Sequence, residues 1–334
     1  MPFGAGGMRH MLTEQLQTGQ QLEHFRIEAF VLRTSMTTIY RATDLRTNQL
    51  VALKIPHPEL ECDPVFYSRF QREMFIGKKL NHPGVVRMFD SSEMHQPCVV
   101  MEWVEDDFLR KILTKEGKIS PERATRIAME VCDALEYIHR LGVVHRDLKP
   151  ENIMVSPEDR VKLIDFGISA CDGARRLTFS KLSNAMGTPD YISPEQIKRS
   201  RIDGRADVYS LGVVLFEMLT GHTPFNGPNP FVVMNDRLVN DPPSAREINP
   251  EISIQMQEIL YRAMERDPKH RFASAREFAD ALEHPESVQI VDRAARKETK
   301  PARLPWMKRI LSYTMLLMIP VVIFTLLLLA TRSK

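Results

Sequence analysis

Hydrophobic periodicity changes once along this chain, and that change constrains the fold more than any other feature. Up to about residue 104, short apolar runs alternate with turn residues: Phe25–Leu32, Thr38–Asp44, Leu50–Ile55, Val85–Asp90 and Cys98–Val104. Such runs read as strands. One helix interrupts them near Pro64–Leu80, where Phe66, Phe70 and Met74 fall at i, i+4 and i+8. Beyond residue 120 the spacing is helical. Ser120 and Pro121 supply an N-cap and a first-position proline, Ile127, Val131, Leu135 and Ile138 keep one face apolar, and Gly142 ends the helix. Val208–Leu219 is apolar on every side except at Ser210 and Glu217, which predicts a central buried helix. The expected class is α+β: a small β-rich lobe, a hinge around Met101–Asp107, and a larger α-rich lobe.

The ends of the chain differ from this body. Residues 1–24 are Gly- and Gln-rich without an apolar run, so they read as a flexible tail and not as a signal peptide. The body is placed at 25–283. Residues 284–309 form a charged, basic linker suited to anionic headgroups or to a plain solvated tether. Ile310–Ala330 is an uncharged run of 21 residues, which as a helix spans roughly 30 Å, the thickness of a bilayer core. Arg293, Arg296, Lys297, Lys300, Arg303, Lys308 and Arg309 precede it. The positive-inside rule therefore places the body in the cytoplasm and predicts a single-pass membrane protein contacting lipid through this helix. A short tail, 331–334, follows, and no sensor domain is expected beyond it.

Composition excludes some functions. Lys plus Arg is 45 and Asp plus Glu is 43, a net charge of +2, so there is no electrostatic case for nucleic acid as a partner. The four cysteines are widely spaced, which speaks against a zinc ribbon or a disulfide framework.

Chemistry concentrates in His145-Arg146-Asp147-Leu148-Lys149-Pro150-Glu151-Asn152. Upstream stands Val51-Ala52-Leu53-Lys54. Downstream come Asp165-Phe166-Gly167, then Gly187-Thr188-Pro189-Asp190-Tyr191 and Ser193-Pro194-Glu195. In this order and spacing the motifs resemble the signature set of eukaryotic-like serine/threonine protein kinases, across about 25–283. The resemblance implies a two-lobed protein-kinase fold, with the transmembrane helix appended, that moves the γ-phosphate of ATP to Ser or Thr hydroxyls of proteins. The style of the motifs is similar to that of bacterial members, which implies the cell membrane.

The same resemblance implies roles residue by residue. Asp147 would orient the acceptor hydroxyl and take its proton, with Lys149 and Thr188 neutralising the γ-phosphate. Lys54 would hold the α- and β-phosphates, supported by Glu73. Asn152 and Asp165 would bind Mg²⁺ through hard oxygen donors. Leu32, Ile39, Ala52 and Met154 would sandwich the adenine, Glu102 and Val104 would offer hinge backbone groups, and Met101 would stand at the gate. Glu195 with Arg271, Asp207, and the packing of His145 are expected to be scaffold. Arg146 implies dependence on an activation-segment phosphate, and self-association for autophosphorylation is a further implied partner relation.

One departure is sharp. The three loop glycines of the family fall here on Leu32, Thr34 and Thr37. Glycine lets backbone amides approach phosphate closely. The hydroxyls of Thr34, Ser35, Thr37 and Thr38 are either replacement phosphate donors or ordinary strand-edge groups. The loss also motivates a pseudokinase scaffold as the alternative function. A small-molecule phosphotransferase is a second rival, opposed by the Gly187–Tyr191 and Ser193–Glu195 segments.

Overall fold

Strand pairing sorts the side chains of the first lobe onto two faces. The computed structural model describes residues 15–34, 36–58, 64–165 and 189–291. Six strands form one sheet in the order β1-β2-β3-β4-β6-β5: β1 (Gln21–Leu22), β2 (Phe25–Arg33), β3 (Thr37–Asp44), β4 (Gln49–Pro56), β5 (Met88–Phe89) and β6 (Val99–Glu102). All pairings are antiparallel. Tyr40, Leu53 and Val100 lie in register and are buried with Phe25, Ile27 and Cys98 in a small core of their own. The alternate row carries Leu32, Ile39, Lys54 and Val99, with Ala52 beside Met101 two residues along. Because side chains alternate along a strand, these residues share the opposite face. The helix α1 (Pro64–Gly77) buries Phe70 and packs Met74 and Ile76 against the larger core. The side chain of Phe66 lies outside the described residues.

Two expectations about this lobe are revised. Ordered packing begins before residue 25: Leu16 is buried in the small core, its amide donates to Tyr40 Oη at 3.1 Å, and Gln21–Leu22 pairs with β2. The Val85–Asp90 run shortens to Met88–Phe89 because Val85 and Val86 bond elsewhere. The amide of Val86 donates to the Leu163 carbonyl at 2.9 Å, tying the chain to the second lobe.

The second lobe begins with β7 (Asp107–Phe108) and α2 (Leu109–Glu116), followed by α3 (Pro121–Arg140). Ser120 caps α3 by accepting from the Arg123 amide, and Gly142 leaves it at φ 73°, a conformation that favours glycine. β7 joins β8 (Ile153–Val155) and β9 (Val161–Leu163) in a three-stranded sheet. That hairpin carries Asn152 and Asp165 at its two open ends. Then come α4 (Pro194–Ile197), α5 (Arg205–Thr220), α6 (Pro230–Val239), α7 (Ala245–Ile248), α8 (Ile254–Ala263) and α9 (Ala275–Glu283). As predicted, α5 is central: every residue from Ala206 to Thr220 is buried. Val288, beyond α9, still packs against the core, so the folded body runs slightly past residue 283.

The Glu195–Arg271 pair anticipated as scaffold is buried and bidentate, with both N···O distances 2.7 Å. Arg271 also donates to the carbonyls of Glu265 and Arg205. A buried pair of this kind is costly to break from one side, on the order of 3–5 kcal/mol, because the other charge is stranded. Among the described residues no helix is long and apolar enough to cross a membrane. The 310–330 run and residues 292–309 of the linker lie outside those residues.

Candidate active site

Lys54 projects from the inner face of the first sheet. Its Nζ donates to Glu73 Oε1 at 3.0 Å and to the carboxylate of Asp165. Burial disfavours the ammonium, but the two carboxylates outweigh it, so the Lys54 pKa is raised and the group stays charged. Burial lifts the Glu73 carboxyl above its ordinary range, with Lys54 pulling the other way. For Asp165 burial also pushes upward, yet the adjacent Lys54 prevails and the carboxyl is held low. Asp165 sits at φ 60°, an uncommon backbone state for a non-glycine residue. Three elements, β4, α1 and the end of β9, thus converge on one cation.

The loop that carries Asp147 is held from below. Asp207, fully buried on α5, accepts the amides of His145 and Arg146, both at 2.8 Å, and the Nε2–H of His139 at 2.7 Å. Burial works against its charge, but the bond from His139, with the neighbouring histidines and the Arg146 amide, holds its pKa low. Arg146 is thereby kept at φ 66°. His145 is buried and donates Nε2–H to the Ile164 carbonyl at 3.3 Å, and burial lowers its pKa against the pull of Asp207. It packs, as expected.

Above this support Asp147 is exposed and bonded on one carboxylate oxygen. Lys149 Nζ donates to its Oδ2 at 2.8 Å, and Asn152 Nδ2 donates to the same oxygen at 3.0 Å and to the Asp147 carbonyl at 2.7 Å. Since the Asn152 nitrogen faces Asp147, its Oδ1 is turned away from that residue. Asn152 Oδ1 and the Asp165 carboxylate are hard oxygen donors, the donor type that suits Mg²⁺. Lys54, Glu73 and Asp165 thus form one set of short contacts and Asp147, Lys149 and Asn152 a second, and the Ile164 amide, donating to the Asn152 carbonyl at 3.0 Å, ties the two neighbourhoods together. Thr188 lies outside the described residues.

The adenine-side residues fall where strand register carries them. Leu32 stands opposite Ile39, Ile39 opposite Lys54, and Ala52 opposite Met101. Met154 is on β8, opposite Phe108. Glu102 Oε1 accepts from both the Arg87 amide (2.9 Å) and Lys162 Nζ (2.7 Å), while the Glu102 amide donates to the Arg87 carbonyl at 2.9 Å. Val104 packs partly buried against the larger core. Sequence reasoning missed Lys162 and His139, which lie in no motif and are identified only by the carboxylates they touch.

The loop without glycines is bonded to itself. Thr34 Oγ1 accepts from the amides of Met36 (3.2 Å) and Thr37 (2.9 Å) and donates to the Thr37 carbonyl at 3.0 Å. Thr38 Oγ1 pairs with His57 Nε2 at 3.2 Å. These hydroxyls have internal partners, which favours the strand-edge reading. Ser35 lies outside the described residues.

With this geometry in view, the protein kinase domain family matches residues 33–285. The chain belongs to the protein kinase family. It is 38% identical over 256 residues to a probable serine/threonine-protein kinase of Streptomyces coelicolor, covering 75% of this chain and 38% of that protein. Against serine/threonine-protein kinase PknB of Mycobacterium tuberculosis it is 37% identical over 274 residues, covering 78% and 44%. The chain thus spans less than half the length of these curated relatives. Among solved structures, the kinase domain of Mycobacterium tuberculosis PknI superposes with a TM-score of 0.65 at 26% identity, covering 81% of this chain and 100% of that domain.

For this kinase domain, replacing Thr34 with Gly releases the two amides that its hydroxyl now occupies. Nucleotide affinity should rise several-fold. Each bond from a freed amide to phosphate is worth on the order of 1–3 kcal/mol, opposed by roughly 0.5–1 kcal/mol of added backbone entropy. Titration with a fluorescent ATP analogue reads the change. A clear loss of affinity would show that the Thr34 turn itself shapes the phosphate site.

Proposed function

We propose that the protein transfers the γ-phosphate of ATP to Ser or Thr hydroxyls of proteins. The observation that carries this reading is the pair of contact sets, Lys54 with Glu73 and Asp165, and Asp147 with Asn152, held next to each other by the Ile164 amide on the Asn152 carbonyl. Asp147 is exposed, so an acceptor hydroxyl can reach it, and its carboxylate can orient that hydroxyl and take its proton. Lys149, already bonded to Asp147, is a cation beside the point of transfer and offsets charge developing on the phosphoryl group. Lys54 remains charged for the α- and β-phosphates. Asn152 and Asp165 would hold Mg²⁺, which would supply positive charge to offset that of the phosphates. The names of the relatives support Ser/Thr specificity, as does Lys149. The pseudokinase alternative gains no support, because none of the five groups is missing or displaced.

Arg146 fits an activation step. Its Nη1 is buried without a hydrogen-bond partner among the described residues, a cation suited to a phosphorylated side chain. The 310–330 run and the basic residues before it support tethering to the cell membrane with the kinase domain in the cytoplasm.

Asp147→Asn should keep the fold and ATP binding yet lower transfer of labelled phosphate to a generic protein substrate by about 10²–10⁴-fold. Phosphoamino-acid analysis of the wild-type product should show Ser or Thr. Near wild-type turnover in the variant would sink the assigned mechanism, and no transfer by the wild type would sink the function.

The tether has its own test. The full chain should sediment with membranes and need detergent for release, whereas a chain ending at residue 291 should remain in the supernatant. Full-length protein in the soluble fraction would contradict the tether.

A further inference from the structure

Gln196 follows the Ser193-Pro194-Glu195 motif and has no part in the function described above. Its side-chain amide has three partners. Oε1 accepts from the Ser193 amide at 3.0 Å and from the Ser193 hydroxyl at 2.9 Å, and Nε2 donates to the Arg146 carbonyl at 2.7 Å. Turning this amide over would set its NH₂ against an N–H and its oxygen against a carbonyl, so the partners fix its orientation. The start of α4 is thereby bonded to the residue before Asp147, 50 positions away in the chain.

Both sides of this bond are anchored. On the α4 side, three successive carbonyls are held by the second lobe. Those of Asp190 and Ile192 accept from the guanidinium of Arg237, fully buried on α6, the Ile192 bond measuring 2.7 Å. That of Tyr191 accepts from Ser210 Oγ on α5 at 2.8 Å. Ser193 is itself buried, and Glu195 is fixed by Arg271. On the loop side Arg146 stands at φ 66°, a backbone state that a non-glycine residue keeps only where its surroundings hold it. Asp207 holds the peptide plane before Arg146 through the Arg146 amide. Gln196 holds the plane after it through the carbonyl. A peptide plane includes the Cα of the residue that follows, so this second plane carries the Cα of Asp147. Asp207 does not fix it alone, because the φ and ψ rotations of Arg146 lie between the two planes.

Resting on the kinase reading above, we propose that Gln196 is a positioning residue for Asp147. Its amide sets the plane from which Asp147 leaves the loop, and so the direction of the carboxylate that meets the acceptor hydroxyl. It acts only through the Arg146 carbonyl. The anchored segment Asp190–Ser193 and the loop are thus joined by one side chain.

The test uses the full chain in detergent. Gln196→Glu keeps an oxygen for Ser193 and loses the donor to Arg146. At saturating acceptor protein, its kcat should fall by at least about tenfold, a misplacement effect, while KM for ATP stays within about twofold. Gln196→Met, which adds no charge, should do the same and replaces Gln196→Glu should that variant fail to fold. Ser193→Ala leaves the Ser193 amide on Gln196 and Gln196 on Arg146, so it should keep the wild-type kcat even if its melting temperature drops. Hydrogen exchange read by mass spectrometry over residues 143–149 should be faster in both Gln196 variants and unchanged in Ser193→Ala. Wild-type exchange or wild-type kcat in a folded Gln196 variant overturns the proposal, as does an equal loss of kcat in Ser193→Ala. Exchange needs no turnover, so a wild type that transfers no phosphate would defeat the kinase reading while exchange still decides whether Gln196 holds the loop.

Discussion

The buried carboxylate of Asp207 is the constraint on which the rest of the site depends. A charge with no solvent access is tolerable only when fully bonded, and Asp207 accepts from two loop amides and from His139. Its helix cannot shift to relieve it, because α5 is buried along its whole length after Arg205. The loop therefore conforms to the helix. Arg146 is held at positive φ, and Asp147 emerges from a backbone whose preceding two amides are fixed. The C-terminal half of the loop is closed by Asn152, which bonds the Asp147 carbonyl and carboxylate together.

The first lobe is joined to this rigid base through charge. Lys54 comes from a sheet with its own small core, Glu73 from a helix packed on the larger core, and Asp165 from the strand that leaves the catalytic side. Lys54 and Glu73, with side chains only 11% and 12% exposed, would each be costly alone at this depth. Together with Asp165 they form a set with one carboxylate in excess, ready for a cation to share. The same pairing that stabilises the cleft thus prepares it for phosphate and a divalent ion.

Most of this was legible in the sequence because it rests on local spacing. Period-two runs marked β2, β3, β4 and β6, and the all-apolar stretch at Val208–Leu219 marked the central helix. Motif order alone picks out Lys54, Asp147, Asn152 and Asp165 as the residues to look for at one site. What was not legible depends on pairings distant in sequence. Leu16 and Gln21–Leu22 have no periodicity of their own, and join the fold only because Tyr40 and β2 receive them. Val85 and Val86 look like sheet residues but bond to the neighbourhood of Leu163. Gln196 belongs to no motif, and its significance comes from Arg146, 50 positions away. In the same way, the threonines of the nucleotide loop could be read as phosphate donors until their internal partners were seen.

The central claim is that Asp207 sets the geometry for phosphotransfer without itself contacting nucleotide. Asp207→Asn tests it most directly. The amide can still accept, but its NH₂ must face a loop N–H or His139, stranding a buried donor at about 1–3 kcal/mol. ATP affinity and kcat measured on the same folded variant separate the two roles. The account predicts nearly unchanged ATP affinity and a kcat lowered by at least about tenfold, a misplacement effect. A folded Asp207→Asn protein with wild-type kcat would contradict it.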